Sequence, residues 1–265
     1  MKKSVRFGAV ALSSIFLASC IGGNSTEQAE RNFTMENKPL PDSSFIPKEV
    51  NVVSVGDSLT EGVGDSTGLG GYVPILEKNM EMQDEFSDVE IINFGKRGNR
   101  SDQLLKRLKE EEPIRTSIME ADSVIVTIGG NDVMKVFRSN FPSLSYGDFS
   151  AALVQYEDRL TNIFSEVRSV NPDASIVLMG IYNPFFVLSA DIQEMELIVE
   201  EWNNSAKAIA GQWDNTSFVE VSDLFASSQE NLLHTDYFHP NDIGYSLIAE
   251  RIEEALTGIL LQAEE

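Results

Sequence analysis

Residues 50–62 read Val-Asn-Val-Val-Ser-Val-Gly-Asp-Ser-Leu-Thr-Glu-Gly. A run dominated by valine passes at once into glycine and small polar residues, as a buried strand does when it ends in a tight turn. The pattern recurs downstream. Short apolar runs at Val89 to Phe94, Ser123 to Ile128, Ser175 to Ile181 and Phe218 to Val221 alternate with longer segments of helical period. Those segments are Tyr72 to Met80, Ser101 to Glu110, Phe149 to Val170, Ile192 to Gln212 and Asp242 to Leu261. In the third, Phe149, Leu153, Tyr156, Leu160, Ile163, Phe164 and Val167 share one stripe and are read as core. Strands rich in Val and Ile, suited to burial on both faces and alternating with helices, predict one α/β domain around a parallel sheet. The stretches Asp132 to Gly147 and Asn183 to Ser189 show no sustained period and are expected to be irregular loops that wall a cleft.

The chain begins differently. Lys2, Lys3 and Arg6 precede an almost uncharged run from Phe7 to Ala18, and Leu17-Ala18-Ser19 leads into Cys20. This is the pattern of a secretion leader, too short for a membrane span. The residues before Cys20 resemble the lipobox of bacterial lipoproteins, in which cleavage leaves a lipid-modified cysteine at the new N-terminus. An ordinary leader whose cleavage site happens to carry a cysteine is the plainer alternative. Residues 20–48 include Gly22-Gly23, Pro39, Pro41 and Pro47 without an apolar period, and read as a flexible tether. The expected organisation is therefore a leader over 1–19, a lipid-anchored tether over 20–48 and a domain over 49–265, held outside the cytoplasm at the membrane through Cys20.

Formal net charge is −22 over 265 residues. Removal of the leader would take away Lys2, Lys3 and Arg6 and make the balance more acidic still. Such a surface cannot neutralise phosphates, which excludes nucleic acid as a partner, and it does not favour anionic membrane surfaces. Cys20 is the only cysteine, so no disulfide forms within the chain.

Four places can carry chemistry, and each follows a candidate strand or lies in the last loop. Ligands in open α/β sheets collect at the carboxyl ends of the strands, so the four should converge. Ser58, just past the first strand, can present its hydroxyl above the sheet and its N–H to an oxyanion, but it needs a base. Taken alone, Gly56-Asp57-Ser58 reads equally well as a turn that starts a helix. The nearby Gly62-Val63-Gly64-Asp65-Ser66-Thr67-Gly68 has its third glycine one residue late for a dinucleotide loop and lacks the lysine of a P-loop. The chain has two histidines, His234 and His239. Asp236 lies three residues before His239 and two after His234, so spacing leaves both pairings open. Gly98 after the second strand can offer a backbone N–H, and Asn131 after the third a side-chain amide. With the Ser58 N–H they would make three donors for developing negative charge.

Gly-Asp-Ser-Leu at 56–59, Gly98 after Asn-Phe-Gly, Gly-Gly-Asn-Asp at 129–132 and Asp236-x-x-His239-Pro240 together resemble, in content and order, the sequence blocks of GDSL/SGNH hydrolases. The blocks span residues 56–240. The resemblance implies a three-layer α/β/α fold with a five-stranded parallel sheet of flavodoxin-like connectivity. It implies hydrolysis of carboxylic esters or thioesters with no metal or cofactor. Family roles fall on Ser58 as nucleophile, His239 as general base, Asp236 as its orienting acid, and Ser58, Gly98 and Asn131 as the oxyanion hole. With the lipobox, the chain is similar to Gram-positive SGNH lipoproteins. Lys96-Arg97 departs from the small residues frequent in relatives and puts two cations beside Gly98, where they would attract an anionic substrate group or point to solvent. A surface-anchored glycan- or lipid-binding protein without turnover is the reading from a different functional class. Candidate substrates at the cell envelope are O-acetylated glycans, lysophospholipids and short-chain or aryl esters, and pocket depth decides among them.

Overall fold

The computed structural model describes residues 46–140, 142–184, 192–227 and 231–262. The leader, Cys20 and the tether as far as residue 45 lie outside the described residues, as do residues 185–189 of the second expected loop. In chain order the elements are β1 (Lys48–Gly56), α1 (Ser58–Glu61), α2 (Tyr72–Glu81), β2 (Phe86–Gly95), α3 (Ser101–Glu110), α4 (Glu112–Met119) and β3 (Ser123–Thr127). There follow α5 (Gly130–Asn140), α6 (Tyr146–Val170), β4 (Ser175–Met179), α7 (Ile192–Ala210), β5 (Thr216–Val219), α8 (Ser222–Ser227) and α9 (Asp242–Gln262).

The five strands pair in parallel in the order β2-β1-β3-β4-β5. Strand order reverses beside β1, so a crevice opens at the carboxyl ends of β1 and β3. Alternation along the strands feeds two cores. Val53, Val55, Val124, Val126, Ile176 and Leu178 pack under α3, α4, α5, α6 and α7. Val50, Val52, Ile125, Val177 and Met179 face the other way and pack under α2 and α9. Helices on both faces complete the three-layer α/β/α arrangement that the resemblance implied.

Two expectations need correction. β2 is an edge strand with one exposed face, Ile92 included, so it is not buried on both sides. The stretch from Asp132 to Gly147 is largely helical, because Val133, Val136 and Phe137 give α5 an apolar face against the core. A helix passed over in sequence, α4, follows a proline in its first turn and buries Ile114 and Ile118 one turn apart.

The short helix carrying Ser58 is seated on β2 at closest approach. A Cβ built on Gly95 would lie 2.1 Å from the Glu61 backbone nitrogen and 2.4 Å from the Thr60 carbonyl carbon. Gly95→Ala must therefore push α1 off the sheet, and is expected to cost about 3 kcal/mol, at the upper end for overpacking. Urea denaturation measures it; an unchanged midpoint would show that α1 does not need this contact.

Candidate active site

The turn after β1 is fixed from below by a buried line of hydroxyls. The Tyr72 hydroxyl lies 2.7 Å from Ser54 Oγ and 3.1 Å from Thr60 Oγ1, which is 2.8 Å from Thr127 Oγ1. The Thr127 hydroxyl donates to Asp57 Oδ1 at 3.2 Å, and the same oxygen accepts the Leu59 N–H at 3.0 Å, capping α1. Ser58 is thereby held at the first position of α1, where a helical N–H has no intrahelical partner. Complete burial pushes the Asp57 carboxyl up to about 7, against those two hydrogen bonds, and the charge of Asp132 adds to the rise.

His239 and Asp236 arrive in the loop before α9. Leu233 and Pro240 bridge antiparallel across its neck, and the His234 N–H donates to the His239 carbonyl at 2.8 Å. Tyr237 turns the chain in the left-handed region, with φ of 55°. Inside this bend Asp236 Oδ1 accepts the N–H groups of Phe238 and His239, each at 3.0 Å, while Oδ2 lies 2.6 Å from His239 Nδ1. His239 Nε2 is 3.0 Å from Ser58 Oγ. Hydroxyl, imidazole and carboxylate thus form one hydrogen-bonded line, in which the ring can accept the hydroxyl proton and the carboxylate can hold the resulting imidazolium. His234 lies outside it, with Nε2 at 3.1 Å from Thr235 Oγ1. Partial burial would raise the Asp236 pKa, but hydrogen bonds from the His239 ring and the two backbone N–H groups outweigh it and hold the pKa at about 2.

The turn after β2 is tied to that after β1. The Lys96 N–H donates to the Gly56 carbonyl at 3.1 Å, and the Arg97 N–H to the Glu61 carboxylate. Gly98 takes φ of 78°, which suits glycine, and is exposed. Asn131, in the first turn of α5, reaches across and donates through Nδ2 to the Asn99 carbonyl at 3.0 Å. One amide hydrogen thus anchors the side chain and leaves a second donor on the same nitrogen. Lys96 and Arg97 are both exposed, and neither lines the cleft beside Ser58.

That cleft has about 40 Å³ of space in which a water-sized sphere fits, room for a few waters. Ser58 and Asn131 line it together with mostly apolar side chains.

Comparison with known proteins adds the family. Residues 54–247 match the GDSL-like lipase/acylhydrolase family. The chain belongs to that family. It is a serine ester hydrolase of the GDSL-like type. It is 37% identical over 223 residues to the YpmR protein of Bacillus subtilis, covering 83% of this chain and 87% of that one. It is also similar to the spore germination lipase LipC of Bacillus licheniformis, 25% identical over 214 residues, with 78% and 96% of the two chains covered. Among solved structures, the lipase Lip_vut3 from a goat rumen metagenome superposes with a TM-score of 0.70 at 22% identity, over 78% of this chain and 97% of that one. At that identity the likeness speaks for the fold.

Two residues of this GDSL-like hydrolase escaped the sequence reading. Tyr182 follows β4, stacks on Phe225 with ring centroids 3.8 Å apart, and donates its hydroxyl to the Phe238 carbonyl at 2.7 Å, bracing the residue next to His239. Asp132 accepts from the Ser101 N–H at 2.9 Å and the Ser101 hydroxyl at 2.6 Å, and so fixes the start of α3 against α5. Asp132 stood inside a quoted block without a role, whereas Tyr182 carried no local signal, since its partner is 56 residues away.

Proposed function

We propose that the protein cleaves carboxylic esters or thioesters through an acyl-enzyme on Ser58. The observation that carries the reading is the line from Ser58 Oγ to His239 Nε2 at 3.0 Å and from His239 Nδ1 to Asp236 at 2.6 Å. His239 takes the hydroxyl proton as Ser58 attacks the carbonyl, and Asp236 steadies the imidazolium. The oxyanion is received by the Ser58 and Gly98 N–H groups and the Asn131 side chain. Protonated His239 then passes its proton to the leaving alcohol or thiol. Water, activated by the same ring, releases the acid. A fluorophosphonate probe tests the nucleophile: it should label the wild type and leave Ser58→Ala unlabelled, and labelling of both would place the reactive group elsewhere.

Asn131→Ala should fold and lose roughly a hundred- to a thousandfold in kcat, as removal of one oxyanion donor does. Turnover near the wild-type rate would remove Asn131 from the oxyanion site.

Residues 1–20 support a second part of the proposal. Cationic Lys2, Lys3 and Arg6, the apolar run to Ala18 and the single cysteine at 20 fit cleavage before Cys20 and its lipidation, with the enzyme tethered outside the cytoplasm. Cys20→Ala is expected to shift the protein from the membrane fraction to the medium, and continued retention would count against the anchor.

A further inference from the structure

We infer that Asp65 is a positioning residue: by organising the loop between α1 and α2 it sets the distance between Ser58 and His239 from behind the reacting atoms. The inference rests on the proposed chemistry of Ser58 and His239.

The loop is 62–71, Gly-Val-Gly-Asp-Ser-Thr-Gly-Leu-Gly-Gly, whose spacing fits neither a dinucleotide loop nor a P-loop. Five of its ten residues are glycine, so its shape must come from hydrogen bonds rather than from side-chain packing. Asp65 supplies them. Its Oδ1 accepts the Thr67 N–H at 2.8 Å and the Thr67 hydroxyl at 2.6 Å, and its Oδ2 accepts the N–H groups of Leu69, Gly70 and Gly71 at 3.0, 3.1 and 3.1 Å. Burial works against ionisation, but these donors, the Thr67 hydroxyl foremost, hold the pKa at about 2, so the carboxylate is charged at neutral pH.

The loop so formed touches both halves of the reactive pair. At its start the Gly62 and Val63 N–H groups both donate to the Ser58 carbonyl at 3.0 Å. Gly64 lies against the histidine bend: a Cβ there would stand 2.3 Å from the Pro240 carbonyl oxygen and 3.2 Å from the Cβ atoms of His234 and His239. Ser66 clamps the start of α9, its N–H donating to Asp242 Oδ1 at 2.8 Å and its hydroxyl to Oδ2 at 2.5 Å. From α9 the Tyr245 hydroxyl donates back to the Val63 carbonyl at 2.7 Å. Asp57 and Thr127 fix the Ser58 turn, and Asp236 fixes the ring within its own bend; the loop joins the two. Without that join the bend can shift, and a misplacement of roughly 1 Å costs on the order of a hundredfold in rate.

Asp65→Asn tests this at nearly constant volume. The amide accepts on one oxygen only and must turn its own N–H groups against either Thr67 or the three loop N–H groups. On a soluble nitrophenyl ester kcat should fall on the order of ten- to a hundredfold with KM unchanged, and fluorophosphonate labelling should slow in step. Because Asp65 acts through the imidazole, adding Asp65→Asn to His239→Ala should change the residual rate by less than about twofold. Turnover at the wild-type rate overturns the inference. So does a loss that appears in KM or persists in full without His239, since either makes Asp65 a structural residue only. Should Asp65→Asn fail to fold, Ser66→Ala takes its place: it removes one exposed hydroxyl from the clamp and should lower kcat severalfold, and unchanged turnover there overturns the inference. A wild type that the probe leaves unlabelled overturns the Ser58 reading itself, whereas a labelled wild type with an unimpaired Asp65→Asn overturns the role of the loop alone.

Discussion

Ser58→Ala is expected to lower kcat by roughly ten-thousand- to a million-fold, His239→Ala by a similar factor, and the double variant by no more than the worse of the two. The reason is geometric. Ser58 Oγ and His239 Nε2 are 3.0 Å apart, and each is useful only through the other: the hydroxyl without a base keeps its proton, and the base without a hydroxyl has nothing to activate. Groups that act as a unit give non-additive losses. Steady-state rates on a soluble nitrophenyl ester measure this, with urea midpoints as the control for folding. Ser58→Ala removes one oxygen atom, so its midpoint should stay close to that of the wild type. Losses that multiply would show that serine and histidine work independently.

Asp236→Asn should cost on the order of ten-thousandfold in kcat with the bend before α9 still formed. In the wild type a single carboxylate does two jobs, since Oδ1 accepts two backbone N–H groups and Oδ2 holds the imidazole. Asparagine can keep the first through its carbonyl oxygen. It would then turn an N–H₂ toward Nδ1, favour the tautomer with the proton on Nε2, and so block the nitrogen that faces Ser58. The pH dependence follows from the same contacts. The pKa of Asp236 is depressed, so its stabilising effect is complete above the ordinary carboxylate value of 3.8 and is lost only as pH falls toward about 2. Inactivation at mildly acid pH therefore does not reflect protonation of Asp236. A variant with near wild-type turnover would mean that the imidazole is oriented without this carboxylate.

The strand pattern was legible because burial leaves so few choices of residue. Val50 to Val55 and Ser123 to Ile128 are close to the observed β1 and β3, and Asp242 to Leu261 is α9 to within one residue. Order along the chain also placed Ser58, Asn131 and the Asp236–His239 bend at one end of a parallel sheet, because such sheets leave their strands on the same side. Less legible was α5, whose start looks like a turn and whose core-facing apolar residues, Val133, Val136 and Phe137, make too short a stripe. The choice between His234 and His239 was not written in their spacing. It depends on a reversal at Tyr237 and a bridge at Leu233 and Pro240, which only the folded loop displays. The apolar lining of the cleft was hidden for a related reason, since Met134, Met179 and Met195 lie on three elements and come to line one cleft only through packing.

Two separate apolar layers, one on each face of the sheet, have an optical consequence. The chain has two tryptophans, and both Trp202 and Trp213 pack into the layer formed with α6 and α7, where Trp202 stacks on Tyr156. The layer under α2 and α9 holds Tyr72, Tyr182 and Tyr245 and no indole. Indole emission is thus a gauge of one side only, and loosening of α2 and α9 would leave it unchanged while exposing phenols on the far side.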